Sequence, residues 1–144
     1  MDIKTISEII GSIGTFLAVS SAAWIYYRNS RLERAKWQAH LYEKFYEKPD
    51  LKRVREILDS DDEISLEITK LIRDESPEFT DYLNFFEFVA FLKKSKQLKI
   101  DEVDDLFGYY LDCLNRRSDI QVYVSKRGYE LLSELLAELK KEHK

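Results

Sequence analysis

The chain is poor in the residues that most often carry chemistry: its 144 residues include one cysteine and two histidines, His40 and His143. One cysteine excludes an internal disulfide framework, and with so few histidines a Cys/His zinc site lacks ligands. Glycine and proline are scarce too, at four and two. There is no glycine-rich phosphate loop, nucleophile elbow or His-Glu-x-x-His pattern. An excess of basic charge is also missing, since 27 acidic residues outnumber 23 basic ones and the net charge is -4. That balance argues against broad nucleic-acid binding. No internal repeat or flexible linker divides the chain, and its length suits one modest domain.

What is present is apolar and aromatic. Apolar residues make up 44% and aromatic ones 13%, enough large side chains for a core. The mean hydropathy of -0.42 conceals one segment, Ile9 to Tyr27, that runs 19 residues without a charge. As a helix it is roughly 28 Å long, close to the hydrocarbon thickness of a bilayer. Trp24, Tyr26 and Tyr27 stand at its end, followed by Arg28, Arg31, Arg34 and Lys36 against a single Glu33. Aromatic rings favour the headgroup layer and positive flanks stay cytoplasmic, so this pattern predicts a single-pass anchor in the cell membrane. Its N-terminus is expected outside and the rest of the chain inside. A cleaved signal peptide competes, because Lys4 precedes the run and Ala18-Val19-Ser20 or Ser21-Ala22-Ala23 resembles a cleavage site. Against it stand the length of the run, Glu8 in its approach and a basic cluster that follows rather than precedes. A buried core helix would seldom be so apolar all round.

Small residues line one stripe of this segment: Ser7, Gly11, Gly14, Ala18 and Ser21, with Gly14, Ala18 and Ala22 as a second small-residue run. Such stripes let membrane helices approach closely, which predicts a homo-oligomer through the membrane helix. In an assembly, Ser12, Thr15 and Ser20 would add hydroxyls along a narrow path. Ordinary membrane-helix composition explains the stripe as well.

Charge is unevenly spread: residues 1–27 carry -1, residues 28–36 carry +3 and residues 37–144 carry -6, giving the net -4. An acidic body beneath a basic collar suits a domain held near an anionic leaflet. The expected fold is all-α: one transmembrane helix, then a compact cytosolic bundle of about five helices. The expected divisions are 1–27 as anchor, 28–48 as basic juxtamembrane helix and 49–144 as cytosolic domain. The juxtamembrane helix shows Leu32, Trp37, Leu41, Phe45 and Tyr42 on one face, and Pro49 stops it. Helices follow near Leu51–Leu58 and Ile64–Ile72. Ser76-Pro77 opens a helix to about Lys94 that is apolar nearly all round, a central core helix. Asp101 is expected to cap a helix to about Asn115, and a last one runs from near Ser125 to Lys141. The stretch Ile120–Val124, IQVYV, has strand character but is too short and isolated for a sheet.

Candidate sites are few. Cys113 sits among core positions and reads as a small buried hydrophobe. Asp101, Glu102, Asp104 and Asp105 belong to a first helical turn, where the dipole favours carboxylates; the surrounding EF-hand rhythm lacks the loop glycine, so neither metal nor cofactor is expected. Asn84 and Glu87 interrupt the central helix three residues apart and read as a buried polar pair bonded to an Arg, a Tyr or backbone. Arg116-Arg117 and Lys126-Arg127 flank Tyr123 and together suggest a clasp for an anionic, phosphate-bearing ligand such as a nucleotide. Solvated helix ends account for the same residues.

The anchor, the basic stretch with Trp37 and Tyr42, and the runs LNFFEFVAFL and IDEVDDLFGYYLDCL resemble a family of uncharacterised bacterial single-pass membrane proteins with a helical cytosolic domain. The resemblance spans most of the chain and implies that architecture, but no activity. The layout is similar as well to accessory membrane effectors of phage defence, in which a cytosolic domain senses a cyclic nucleotide and the membrane part disrupts the bilayer. The sequence therefore predicts a non-enzymatic membrane protein whose partners are the lipid bilayer, its own copies or another protein. The alternative is an oligomeric effector gated by an anionic or cyclic-nucleotide ligand.

Overall fold

The computed structural model describes residues 3–60 and 64–142, and the side chains of 19–60 and 66–141. Among them are seven helices and no strand. They are α1 (Ile3–Glu47), α2 (Pro49–Asp59), α3 (Ile64–Arg73), α4 (Pro77–Lys94), α5 (Ile100–Arg116), α6 (Ser118–Lys126) and α7 (Glu130–Glu142). The all-α expectation therefore holds, with six helices after α1 where about five were predicted.

The chain forms two compact units, Met1–Ala39 and His40–Lys144. α1 contributes to both. In the second unit its last two turns bury Leu41 and Phe45 completely, while Tyr42 stays exposed. In the first unit Leu32 and Trp37 are also exposed, so the face predicted for 28–47 is core only at Leu41 and Phe45. Among the described residues no helix is long and apolar enough to cross a membrane. The apolar run begins at Ile9, and its side chains as far as residue 18 lie outside those described.

Proline chemistry sets the break after α1. A residue before proline is pushed out of the helical region, and Lys48 is extended at φ -69, ψ 121, so Pro49 opens α2 at its first position. α4 is the centre of the bundle. It buries Phe79, Tyr82, Leu83, Phe85, Phe86, Val89, Ala90 and Leu92, and packs on α2, α5 and α7. Phe45 fills the junction: its ring lies 5.1 Å from Phe85, 5.4 Å from Phe86, 5.2 Å from Phe107 and 5.2 Å from Tyr110. Offset and edge-on rings at these separations are the favourable aromatic geometries.

Several boundaries differ from expectation for local reasons. Ile120–Val124 is helical, because Ile120 and Val124, four residues apart, bury one face of α6. The last helix starts at Glu130 rather than Ser125, since Gly128 turns the chain at φ 79. Asp101 lies inside α5, whose cap is Lys99; the Glu102 carboxylate reaches back to the Lys99 N–H at 2.7 Å. Two other helix ends use the left-handed region without glycine, Glu75 at φ 48 after α3 and Lys96 at φ 61 after α4. There Ser76 N–H bonds Leu71 O at 2.9 Å and Gln97 N–H bonds Leu92 O at 2.9 Å, closing the exposed carbonyls of the last turns.

Candidate functional site

Three of the five residues of the expected anion clasp, Arg116, Arg117 and Arg127, pair with separate acids. Arg116 pairs with Asp112 one turn earlier. Arg117 makes a two-armed contact with Asp119, at 3.1 Å through Nε and 2.7 Å through Nη2, and that carboxylate also accepts from Thr69 at 3.1 Å. Burial pushes the Asp119 carboxyl up, but the Arg117 guanidinium, the Ile120 N–H and Thr69 outweigh it and hold the group below its ordinary value. Arg127 pairs with Glu75 across the α3–α4 turn and lies over the Tyr123 ring at 5.5 Å. Tyr123 and Arg127 are thus brought together, with Lys126 exposed beside them, while Arg116 and Arg117 serve the α5–α6 corner.

Asn84 and Glu87 do not form a buried pair. Asn84 is exposed in a groove of about 220 Å³ with Lys44, Lys48, Asp81, Phe85 and Phe88. Glu87 is half-buried, and its carboxylate accepts the Leu131 N–H at 3.2 Å and the Leu132 N–H at 2.7 Å. Glu87 thereby caps the start of α7, where N–H groups are otherwise unpaired and the dipole favours a negative charge. Of the small-residue stripe, Ser7, Gly11, Gly14 and Ala18 lie outside the described side chains, and Ser21 is exposed.

Sequence reasoning missed a polar cluster where α1 ends. Arg55 of α2 is only 6% exposed, yet it forms no ion pair with a carboxylate among the described residues. Its guanidinium donates to Phe45 O and, at 3.0 Å, to Tyr46 O, two carbonyls of the last turn of α1. Its Cζ lies 4.8 Å from the Phe45 ring centre and 4.7 Å from that of Tyr46. The negative end of the helix dipole and two ring faces together compensate the buried charge. Nearby, the Tyr110 hydroxyl donates to Asp59 Oδ2 at 3.2 Å; burial and then the Asp59 charge push its pKa up to about 12. The Tyr82 hydroxyl is buried and finds no hydrogen-bond partner among the described residues. Burial holds its pKa well above the ordinary tyrosine value. Burial also raises the half-buried Cys113 thiol, against a hydrogen bond from Tyr109.

The first unit presents a different surface. Trp24, Tyr27, Arg28, Arg31, Leu32 and Ala35 line a recess of about 300 Å³ along one face of α1. Trp24 is 69% exposed and Tyr26 78%. The Arg31 guanidinium lies over the Tyr27 ring at 5.8 Å. Among the described residues no group of three His, Cys, Asp or Glu side chains is placed to hold a metal ion. No family model, curated protein or solved structure matches the chain.

Proposed function

We propose that the chain is a non-enzymatic, single-pass membrane protein whose helical domain binds a protein partner or further copies of itself. The observation that carries this reading is the segment from Trp24 to Trp37. Trp24, Tyr26 and Tyr27 stand exposed at the end of a run of 19 uncharged residues, and the charges that follow up to Lys36 are basic apart from Glu33. A water-facing helix gains nothing from that arrangement, whereas a bilayer interface takes rings at headgroup level and cations on the cytoplasmic side. The bundle adds an apolar surface for a protein partner. Phe88 and Phe91 are exposed and stacked at 6.4 Å, beside the groove rimmed by Lys44 and Lys48.

The Tyr46, Tyr82, Tyr110 and Cys113 shifts all run upward, away from neutral pH, so none of these groups is primed as a base or nucleophile. A gating anion at the basic residues would have to displace Asp112, Asp119 and Glu75.

The test is membrane fractionation with alkaline carbonate extraction of the full chain and of a chain starting at His40. The full chain is expected to stay with the membranes and the shorter one to be released. Release of the full chain by carbonate would overturn the reading. Detergent-solubilised mass measurement then gives the number of copies, and a strict monomer with no bound protein would remove the interaction half of the proposal.

A further inference from the structure

Positions 24, 27, 28, 31, 32 and 35 follow one another by three, one, three, one and three residues, which places them on a single helical face. The small Ala35 leaves that face open at its far end. Arg28 and Arg31 pair with no carboxylate among the described residues, unlike Lys36, which holds Glu33 at 2.8 Å. The Arg31 guanidinium rests over the Tyr27 ring. The Arg28 and Arg31 guanidinium forks, each four residues after an aromatic residue of the same face, present donors suited to the oxygens of a phosphate.

Resting on the membrane-anchored reading above, we infer that this face of α1 binds the headgroup of an anionic phospholipid, with Arg28 and Arg31 on the phosphate and Trp24 and Tyr27 against the glycerol and upper acyl region. Register supports that occupant. Along a helix Arg28 lies about 1.5 Å and Arg31 about 6 Å beyond Tyr27, within a headgroup layer roughly 5–7 Å deep on each side of the hydrocarbon. Charge supports it as well, since the recess holds two cations and no acid. The uncharged run ends at Tyr27 itself, so the rings stand at the hydrocarbon edge and the cations just outside it.

The experiment uses the full chain carrying Trp37→Phe, which leaves Trp24 as its one tryptophan. The protein is reconstituted in nanodiscs of phosphatidylcholine with graded fractions of phosphatidylglycerol. Trp24 emission is expected to change saturably with phosphatidylglycerol, and native mass spectrometry to retain that lipid on the chain. The double variant Arg28→Gln, Arg31→Gln is expected to weaken the preference roughly 30-fold, at about one surface-charge increment per arginine. Lys44→Gln, Lys48→Gln is expected to leave it unchanged. Equal responses to the two lipids, or equal losses in both double variants, would overturn the headgroup site while leaving the anchor intact. Competition by free inorganic phosphate or a nucleotide in the same discs would reassign the face to a soluble anion and overturn it too. Failure of the chain to enter discs of phosphatidylcholine alone would instead sink the anchor reading.

Discussion

Arg55 is held by main-chain carbonyls and ring faces, and that choice of partner makes it sensitive to small changes. Replacing it by alanine would uncover the Phe45 and Tyr46 carbonyls and empty a space beside both rings. Arg55→Ala is expected to cost about 2–4 kcal/mol in urea unfolding of the full chain. Arg55→Lys should recover little of it, because an ammonium cannot reach two carbonyls in one plane. A loss below roughly 0.5 kcal/mol, typical of a surface position, would show that the clamp contributes nothing. Tyr82 is the opposite case, a buried hydroxyl without a partner among the described residues. Tyr82→Phe removes an unsatisfied group at nearly constant shape and is expected to raise stability by about 1 kcal/mol; a lower unfolding midpoint would contradict this. Tyr110 gives a pH dependence with a definite sign. Its pKa rises from 10.0 to about 12 in the fold, so the native state keeps a proton that the unfolded chain releases. The resulting stability is complete below pH 10 and is lost as pH climbs from 10 to about 12. In Asp59→Asn, tyrosinate absorbance should show Tyr110 titrating earlier, because one raising charge is gone. Arg55 was invisible in the sequence for a physical reason. Its partners are backbone atoms ten and nine residues away, and a carbonyl leaves no mark in the residue pattern.

At the scale of elements, the strongest periodicities carry through to the fold. The apolar character of FTDYLNFFEFVAFLKK marked α4 as the central helix, and Ser76-Pro77 marked its start. Legibility failed where a single contact decided the outcome. Asn84 and Glu87 look alike as interruptions, yet only Glu87 meets the start of α7; that depends on α7 beginning at Glu130, which Gly128 sets. In Ile120–Val124, β-branched residues suggested a strand, and burial of Ile120 with Val124 on one helical face overrode that preference. The scarcity of glycine also reappears in the elements. Lys96 adopts φ 61 to end α4, a conformation that costs a side-chain residue what glycine escapes. Lys96→Gly is expected to raise the thermal stability of the bundle by roughly 0.5–1 kcal/mol, net of the freedom glycine gains when unfolded. An unchanged or lower melting temperature would mean that the lysine makes a compensating contact.

The whole molecule divides at Ala39, midway along the 28–48 segment proposed from composition. Charge and hydropathy locate the basic stretch, but Leu41 and Phe45 are buried in the bundle, Phe45 through ring contacts with residues 82–110 that no local window contains. A chain starting at His40 keeps both residues and Arg55's two carbonyl partners. It is therefore expected to unfold in one cooperative transition, by circular dichroism, with nearly the midpoint of the full chain. A broad, non-cooperative melt would show that the first unit supports the second. The packing of α7 on α4 has a consequence for how the protein is made. The core face of α4 needs α7 to cover it, and 35 residues separate Lys94 from Glu130. At roughly 5–20 residues per second a ribosome takes about 2–7 s to supply them. Throughout that interval the nascent chain carries a nearly all-apolar helix with one flank bare, and Glu87 waits as an acceptor without donors. The chain is then most in need of a chaperone, and a translational pause placed between these two helices would lengthen its exposure to aggregation.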